Sequence, residues 1–371
     1  MFLAALNLIN FRNYDRQELT FHPRMNIFTG LNAQGKTNLL EAVYCLAVSR
    51  SFRTNQESEL LRFGSDFFYL EGNFQIKKEC YQVGIGYRPP RRLQIKLNGK
   101  TLKRAEYLHR HPVVVFSPDD LLLVKEGPSI RRRFLDTEGS RLKPLYYRRL
   151  RDYYRALQQR NRILKEYRGS RSFDYSLLEP WDQALVKFGS TVMKERIKFL
   201  GALEGRARSH FATLTAESES LSLRYLPTIK FNGDFELLES AFREQLTAGH
   251  SAELRRGTTL IGPHLDDFAV MINGCDVRKY GSQGQQRTVV LALKMGEVDL
   301  FNSAGDEQAI LLLDDIFSEF DEERSNHLLQ FLSCREGQSF LTTASPSWKH
   351  SQNCSGQSKI YTVYRGKIKI D

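Results

Sequence analysis

Apolar positions along this chain fall into a few distinct patterns, and each pattern predicts an element. An apolar run at Met25, Ile27 and Phe28 ends at Gly30, and Leu39, Leu40, Ala42 and Val43 follow at helical spacing, which predicts strand, glycine loop and helix. Between Phe67 and Leu97 the alternation of Tyr81, Val83, Ile85 and Tyr87, with turn residues at Pro89-Pro90 and Asn98-Gly99, predicts antiparallel strands. Tyr146, Leu150, Tyr153, Leu157 and Leu164 recur at spacings of four, three, four and seven. Pro144 is placed to open that helix and Gly169-Ser170-Arg171-Ser172 to break it. A second stripe at Trp181, Leu185, Phe188 and Val192 makes an antiparallel helical hairpin the simplest structure. Val289, Val290, Leu293 and Val298 mark a further helix, and the apolar run Ala309 to Leu313 reads as a strand buried on both faces of a parallel sheet. There is no sustained heptad, internal repeat or low-complexity tract.

Candidate chemistry enters where those patterns are interrupted. Residues 30 to 37 read GLNAQGKT, so Gly30, Gly35, Lys36 and Thr37 fill the pattern G-x-x-x-x-G-K-[ST] between a strand and a helix. The backbone N–H groups of Gly30, Leu31, Asn32, Ala33, Gln34 and Gly35, with the N-terminal end of the helix behind them, form a phosphate cradle. Lys36 is expected to reach the β- and γ-phosphates of a nucleoside triphosphate, the Thr37 hydroxyl to coordinate Mg²⁺, and Asn38 to join the nucleotide contacts. The strand at 309–313 ends in Asp314-Asp315, where open α/β sheets place ligands. Asp314 is the candidate metal ligand opposite Thr37, and Asp315 the candidate to orient or deprotonate an attacking water. The plainer readings are a glycine turn before a lysine and a pair of helix-capping aspartates.

Upstream of that strand, Ser282-Gln283-Gly284-Gln285 opens a helix as either a simple cap or a second phosphate-facing donor set. In order along the chain come the glycine loop, S-x-G-Q, an apolar strand with Asp-Asp, and Ser318-Glu319-Phe320-Asp321. This series resembles the ABC-type ATPase head. The resemblance implies ATP with Mg²⁺ sandwiched between two subunits, with Ser282 and Gly284 acting on the partner's nucleotide and Asp321 on the D-loop. It also implies a γ-phosphate switch at Thr342-Thr343, assigned to Thr343, since such heads carry a histidine after the corresponding strand. Further strings narrow the likeness: NFRNY at 10–14, FSPDDL at 116–121, RRRFLD at 131–136, GPHLDD at 262–267 and LLLDDIFSEFD at 311–321. Together they are similar to the RecF family of bacterial recombination mediators, from the first strand to about residue 345, and they add Arg12 to the nucleotide contacts. The chain departs from the pattern at Phe52 and Leu265, where His and Arg are expected, and has no clear lobe-junction glutamine. Roles near Phe52, Ser117 and Leu265 are accordingly unassigned.

Composition sets outer limits. The 371 residues suffice for two domains or one head with a large insertion. Mean hydropathy is −0.43 and no run of 18 apolar residues occurs, so no membrane helix is expected. Residues 1–10 read as a first strand rather than a signal peptide. Cys45, Cys80, Cys275, Cys334 and Cys354 form no C-x-x-C pair, which points to reduced thiols in a cytoplasmic protein and away from structural zinc. His264 beside Asp266 and Asp267 is a poor ligand set, because carboxylates adjacent on a strand alternate across it. The net charge of +11 favours a polyanionic partner. Its densest stretch runs from Arg131 to Arg168, with 13 Lys or Arg against four Asp or Glu. Arg148, Arg149, Arg151, Arg155, Arg160 and Arg162 are the candidate phosphate contacts to DNA, against the plainer reading of a solvated basic face on a packing element.

The expected fold is α/β: an ABC-type head built from residues 1–125 and 255–371, with a mostly helical lobe, 126–254, inserted between. The expected function is ATP-dependent DNA binding in recombinational repair, by a homodimer that forms on ATP, with hydrolysis slow, DNA-stimulated and acting as a timer. The resemblance implies RecO and RecR as partners and support of RecA loading at gaps. A cohesin-like head would need a far longer coiled coil than this arm, and a transporter ATPase would leave the basic arm unused. A small-molecule kinase would not need the signature at Ser282.

Overall fold

The computed structural model describes residues 1–77, 79–170, 172–344 and 358–370; Arg171 and Cys354 lie outside the described residues. The chain divides into two compact units, one of residues 1–121 and 287–371, the other of residues 122–286.

The first unit contains two six-stranded sheets. Strands β1 (Phe2–Phe11), β2 (Tyr14–Thr20), β4 (Phe68–Ile76), β5 (Glu79–Tyr87), β6 (Gln94–Leu97) and β7 (Lys100–Leu102) form the antiparallel sheet in the order β2-β1-β4-β5-β6-β7. The alternation read at residues 67–97 thus serves β4, β5 and β6, with Val83, Ile85 and Ile95 on the buried face. The second sheet joins β3 (Met25–Thr29), β8 (Val113–Phe116), β12 (Ile310–Asp314), β13 (Ser339–Thr343), β14 (Ser358–Tyr364) and β15 (Lys367–Ile370) in the order β15-β14-β3-β13-β12-β8. All of its neighbouring pairs are parallel except the β14–β15 hairpin. Helix α1 (Lys36–Val48) touches strands of both sheets, which explains why 11 of its 13 residues are buried. The unit also holds the short helix α2 (Arg104–Tyr107) and α10 (Glu322–Cys334).

The second unit is helical around a three-stranded sheet. It comprises α3 (Leu122–Lys125), α4 (Pro128–Leu142), α5 (Pro144–Glu166), α6 (Glu179–Leu214), β9 (Leu221–Leu226), α7 (Leu238–Arg256), β10 (Asp267–Ile272), β11 (Cys275–Asp276) and α8 (Val277–Tyr280). Contacts between α5 and α6 run in opposite sense along the two helices: Tyr146 with Arg196, Tyr153 with Gly189, Arg160 with Asp182. That is the antiparallel hairpin predicted from the two apolar stripes, and Tyr153, Leu157 and Leu185 form its core. The unit takes in residues 255–286, which the sequence places with the head. The reason is strand pairing: β10 pairs along its length with β9, and β11 pairs with β10. The boundary at Gln286/Arg287 falls within α9 (Gln283–Ala304).

Candidate nucleotide site

The glycine loop sits at the carboxyl end of β3. Gly30 has φ 150°, and a Cβ there would stand 2.4 Å from the Val363 carbonyl oxygen, so only glycine lets the chain leave the sheet at this point. Gly35 caps α1 with φ 114°, and its Cβ position is filled by the Asn13 amide. The loop is held from two directions. Asn13 Nδ2 donates to the Gln34 carbonyl at 3.0 Å and the Tyr14 hydroxyl to the Gly35 carbonyl at 2.9 Å, both from the β1–β2 turn. The β14–β15 turn adds Gly366 N to the Gln34 carbonyl at 3.1 Å and Arg365 N to Gln34 Oε1 at 2.8 Å. At its tip Leu31, Asn32 and Ala33 are exposed, and Ala33 takes a left-handed φ of 63°.

Lys36 folds back into this loop. Its Nζ donates to the carbonyls of Gly30 at 2.5 Å and Leu31 at 2.9 Å, where the phosphates of a nucleotide would compete for it. Burial lowers its pKa, opposed by the negative fields of Asp315 and Asp314. The Thr37 hydroxyl donates to Asp314 Oδ1 at 2.9 Å, although 277 residues separate them. Asp314 ends β12, and β13 lies between β12 and β3, so the residue facing both is Thr342. Its hydroxyl donates to the same Asp314 oxygen at 2.9 Å and accepts from the Asp315 N–H at 2.9 Å. Asp314 is buried, has no cationic partner among the described residues, and has its pKa raised by that burial. Asp315 follows in a left-handed conformation, φ 47°, uncommon outside glycine and found at sites where surrounding structure fixes the backbone.

Two expectations change here. The hydroxyl that contacts the aspartates is that of Thr342, whereas Thr343 continues β13 in register with Thr29. Arg12 does not point a free guanidinium at the loop. It forms two hydrogen bonds to the buried carboxylate of Glu41 on α1, at 2.8 and 2.7 Å, and a third to the Glu59 carbonyl. Ser51 and Arg53 meet the same carboxylate, and Arg53 Nη1 reaches Asn38 Oδ1 at 2.9 Å. Asn13, Glu41 and Arg53 are therefore parts of the site that sequence reasoning did not assign. Asn13 lies in NFRNY, Glu41 in the helical run after the glycine loop and Arg53 in SRSFRT at 49–54, and these residues meet only in the folded chain.

A family model for the RecF/RecN/SMC N-terminal domain matches residues 2–369. The DNA replication and repair protein RecF of Staphylococcus aureus strain JH9 is 38% identical over 373 aligned positions, covering 99% of this chain and 100% of its own. The chain belongs to the RecF family. A solved structure of the recombination mediator protein RecF with ATP, of the RecFOR pathway, superposes with a TM-score of 0.91 at 34% identity, over 100% of this chain and 97% of that one. An Smc head bound to the C-winged helix domain of ScpA superposes with a TM-score of 0.57 at 15% identity, covering 100% of this chain and 97% of that one, and shares the fold alone. The ABC-type ATPase head fold expected from the motifs is thus the fold of the chain.

The remaining RecF-like motifs occupy distinct places. Ser282 caps α9 in a reciprocal box, its Oγ accepting from Gln285 N at 3.2 Å and its own N donating to Gln285 Oε1 at 2.8 Å. Ser282 and Gln283 are exposed, while Gly284 and Gln285 are half-buried and Gln285 Nε2 donates to Glu219 at 2.6 Å. Asp321 caps α10 by accepting from Arg324 N at 3.0 Å. Phe52 packs edge-on against Tyr44, the Ser117 N–H is held by Asp120, and Leu265 is exposed. In GPHLDD the carboxylates serve different partners. Asp266 accepts from Tyr225 and Thr228, and Asp267 takes both arms of Arg131.

On α5 the six candidate arginines separate by burial. Arg148, Arg151, Arg155 and Arg162 are exposed at spacings that share one helix face, and Arg149 lies over the Phe188 ring at 5.5 Å. Arg160 is a correction. It is fully buried, ion-paired with Asp182 at 2.6 Å and Glu253 at 2.7 Å and donating to Thr259, so it cannot meet DNA without dismantling the hairpin.

Proposed function

We propose that this chain is an ATP-dependent DNA-binding protein of recombinational repair, in which ATP joins two copies and slow, DNA-stimulated hydrolysis releases them. The RecF relative bound to ATP supports ATP as the nucleotide, and its place in the RecFOR pathway supports RecO and RecR as partners; RecA loading at gaps is the outcome that the family resemblance implies. The observation that carries the reading is the convergence of Lys36, Thr37, Asp314 and Thr342 on one point at the loop. A hydroxyl and a buried carboxylate without a counter-ion fit Mg²⁺, a hard cation with oxygen ligands, held by Thr37 and Asp314. The charge that Mg²⁺ supplies there would offset that of the β- and γ-phosphates. Lys36 would exchange its two carbonyl partners for phosphate oxygens, and Asp315 would orient the attacking water. Ser282, exposed on the second unit, would meet the nucleotide of the other copy. The exposed arginines of α5 would take DNA phosphates, which position a duplex without reading its sequence. No described helix is long and apolar enough to cross a membrane, in keeping with a cytoplasmic site of action.

Two variants test this. Lys36→Met should abolish ATP binding in a folded protein. Ser282→Arg should retain ATP binding but lose the ATP-dependent dimer in sedimentation. Wild-type ATP affinity in the first refutes the nucleotide site, and a normal dimer in the second refutes the shared one.

A further inference from the structure

Residues 88–105 carry seven Lys or Arg and no Asp or Glu, and the function proposed above does not use them. They include β6 and β7, at the edge of the antiparallel sheet remote from β2. With the ends of β4 and β5 they wall an open groove of about 520 Å³ whose lining includes Tyr69, Tyr87, Arg88, Arg91, Arg92 and Gln94 and no carboxylate. Arg91 and Arg92 are exposed and have no ion pair among the described residues. Arg88 lies over the Phe67 ring at 5.0 Å and 3.6 Å from the exposed Asp66.

Tyr69 is the unusual member. Its cross-strand partner on β5 is Gly86, and Gly84 lies two residues before that. A Cβ on Gly84 would stand 2.6 Å from the Tyr69 hydroxyl oxygen, and one on Gly86 3.4 Å from the ring. The ring therefore lies down across the two glycines, with its hydroxyl tied to Glu71 at 2.9 Å. The Cδ2–Cε2 side of the ring meets the two glycines and Tyr69 lines the groove, an aromatic surface held in place in a wall that also carries three arginines.

The geometry points to this groove as a binding site for single-stranded nucleic acid, with a base stacked on Tyr69 and phosphates on Arg88, Arg91 and Arg92. A duplex keeps its base faces inside the stack, and an acidic peptide would use the arginines but has no need of a fixed flat ring. The groove's residues belong to the first unit, and those of the α5 arginine face to the second. The site rests on the nucleic-acid-binding part of the proposed function, in which a gap presents both a duplex and a single strand.

The test uses the full chain with ATP, titrated against fluorescent oligo(dT) and a blunt duplex of equal length. Replacing Arg88, Arg91 and Arg92 together with Gln should reduce the salt slope for oligo(dT) by about 2 units. Tyr69→Leu, which still covers the glycine pair, should weaken oligo(dT) about tenfold. Both variants should hold the duplex within about twofold, whereas Gln at Arg148, Arg151 and Arg155 should weaken the duplex. Iodouracil placed in the oligo(dT) should photo-crosslink within residues 67–94. Wild-type oligo(dT) affinity and slope in both groove variants, equal loss of both ligands, or crosslinks confined to α5 each overturn the site. If the wild-type chain binds neither ligand, the nucleic-acid reading itself fails. Retained ATP binding and circular dichroism confirm that the variants are folded.

Discussion

Thr342 shows how much can depend on one hydroxyl. It accepts from the backbone of Asp315 and donates to the carboxylate of Asp314, so it couples the candidate metal ligand to the candidate water-orienting group. Thr342→Val keeps the β-branched shape and removes both bonds. ATP turnover is expected to fall at least about tenfold, since displacement of a catalytic group by about 1 Å can cost ~10²-fold. ATP affinity, set by the loop and Lys36, should change little, and equilibrium binding beside single-turnover kinetics separates the two. Asp315 makes a second test, because many ABC-type heads carry glutamate there. Asp315→Asn should trap an ATP-bound dimer on DNA. If Asp315→Glu leaves turnover unchanged or lower, side-chain reach is not what limits the reaction. At this scale the loop was legible from sequence because its residues are contiguous and its flanks periodic. The bridge at Thr342 was not, since it exists only because β13 lies between β3 and β12.

At the scale of elements, the α5–α6 hairpin was legible in its apolar stripes, while the fate of its charges was not. Helical spacing places Arg160 beside buried Leu157 and Leu164, but its burial became visible only with Asp182 from α6 and Glu253 from α7 packed on it. The counterion arithmetic changes accordingly. With four exposed arginines the duplex salt slope should be near about −3.6, and raising salt from about 50 to 200 mM should weaken binding by about 10²-fold. Replacing Arg148, Arg151 and Arg155 with Gln should lower the slope by about one unit per lost phosphate contact, for all duplex sequences alike. An unchanged slope would make this face a packing or partner-docking surface. Arg160→Met should behave oppositely, destabilising the protein by about 3–5 kcal/mol by leaving the buried Glu253 carboxylate without its cation, while Asp182 keeps His250 at 2.7 Å. Urea unfolding midpoints measure that difference. The pairing of β9 with β10 was also hidden, because 40 residues separate the two strands and α7 intervenes.

For the molecule as a whole, each unit holds a histidine whose pKa is lowered by burial, which contributes to its response to acid. In the first unit His111 packs against Phe74 with ring centroids 4.3 Å apart and the rings tilted by 34°, and burial lowers its pKa to about 3. In the second, His264 is held by the Tyr153 hydroxyl at 2.6 Å and lowered, chiefly by burial, to about 4. Because both folded values lie below the unfolded value near 6.5, protonation favours unfolding. The stability tied to these groups is full above about pH 6.5 and is lost as pH falls toward about 4 and then 3. His111 alone should cost the first unit about 2 kcal/mol between pH 6.5 and 5. Thermal unfolding of His111→Phe at both pH values should show a correspondingly smaller acid loss. Equal losses in variant and wild type would assign the acid sensitivity elsewhere.

The hold of the β14–β15 turn on Gln34 also has a consequence for how the chain is made. The loop at residues 30–37 leaves the ribosome early, yet two of the bonds that fix it come from Arg365 and Gly366, synthesised more than 300 residues later. Asp314 and Thr342 are late as well. A nascent chain halted before β14 should therefore show no ATP retention, whereas one released after residue 370 should bind. Nucleotide capture by this chain would then report that translation has passed the β14–β15 hairpin, and copies terminated before it would be silent at the site rather than competing for ATP.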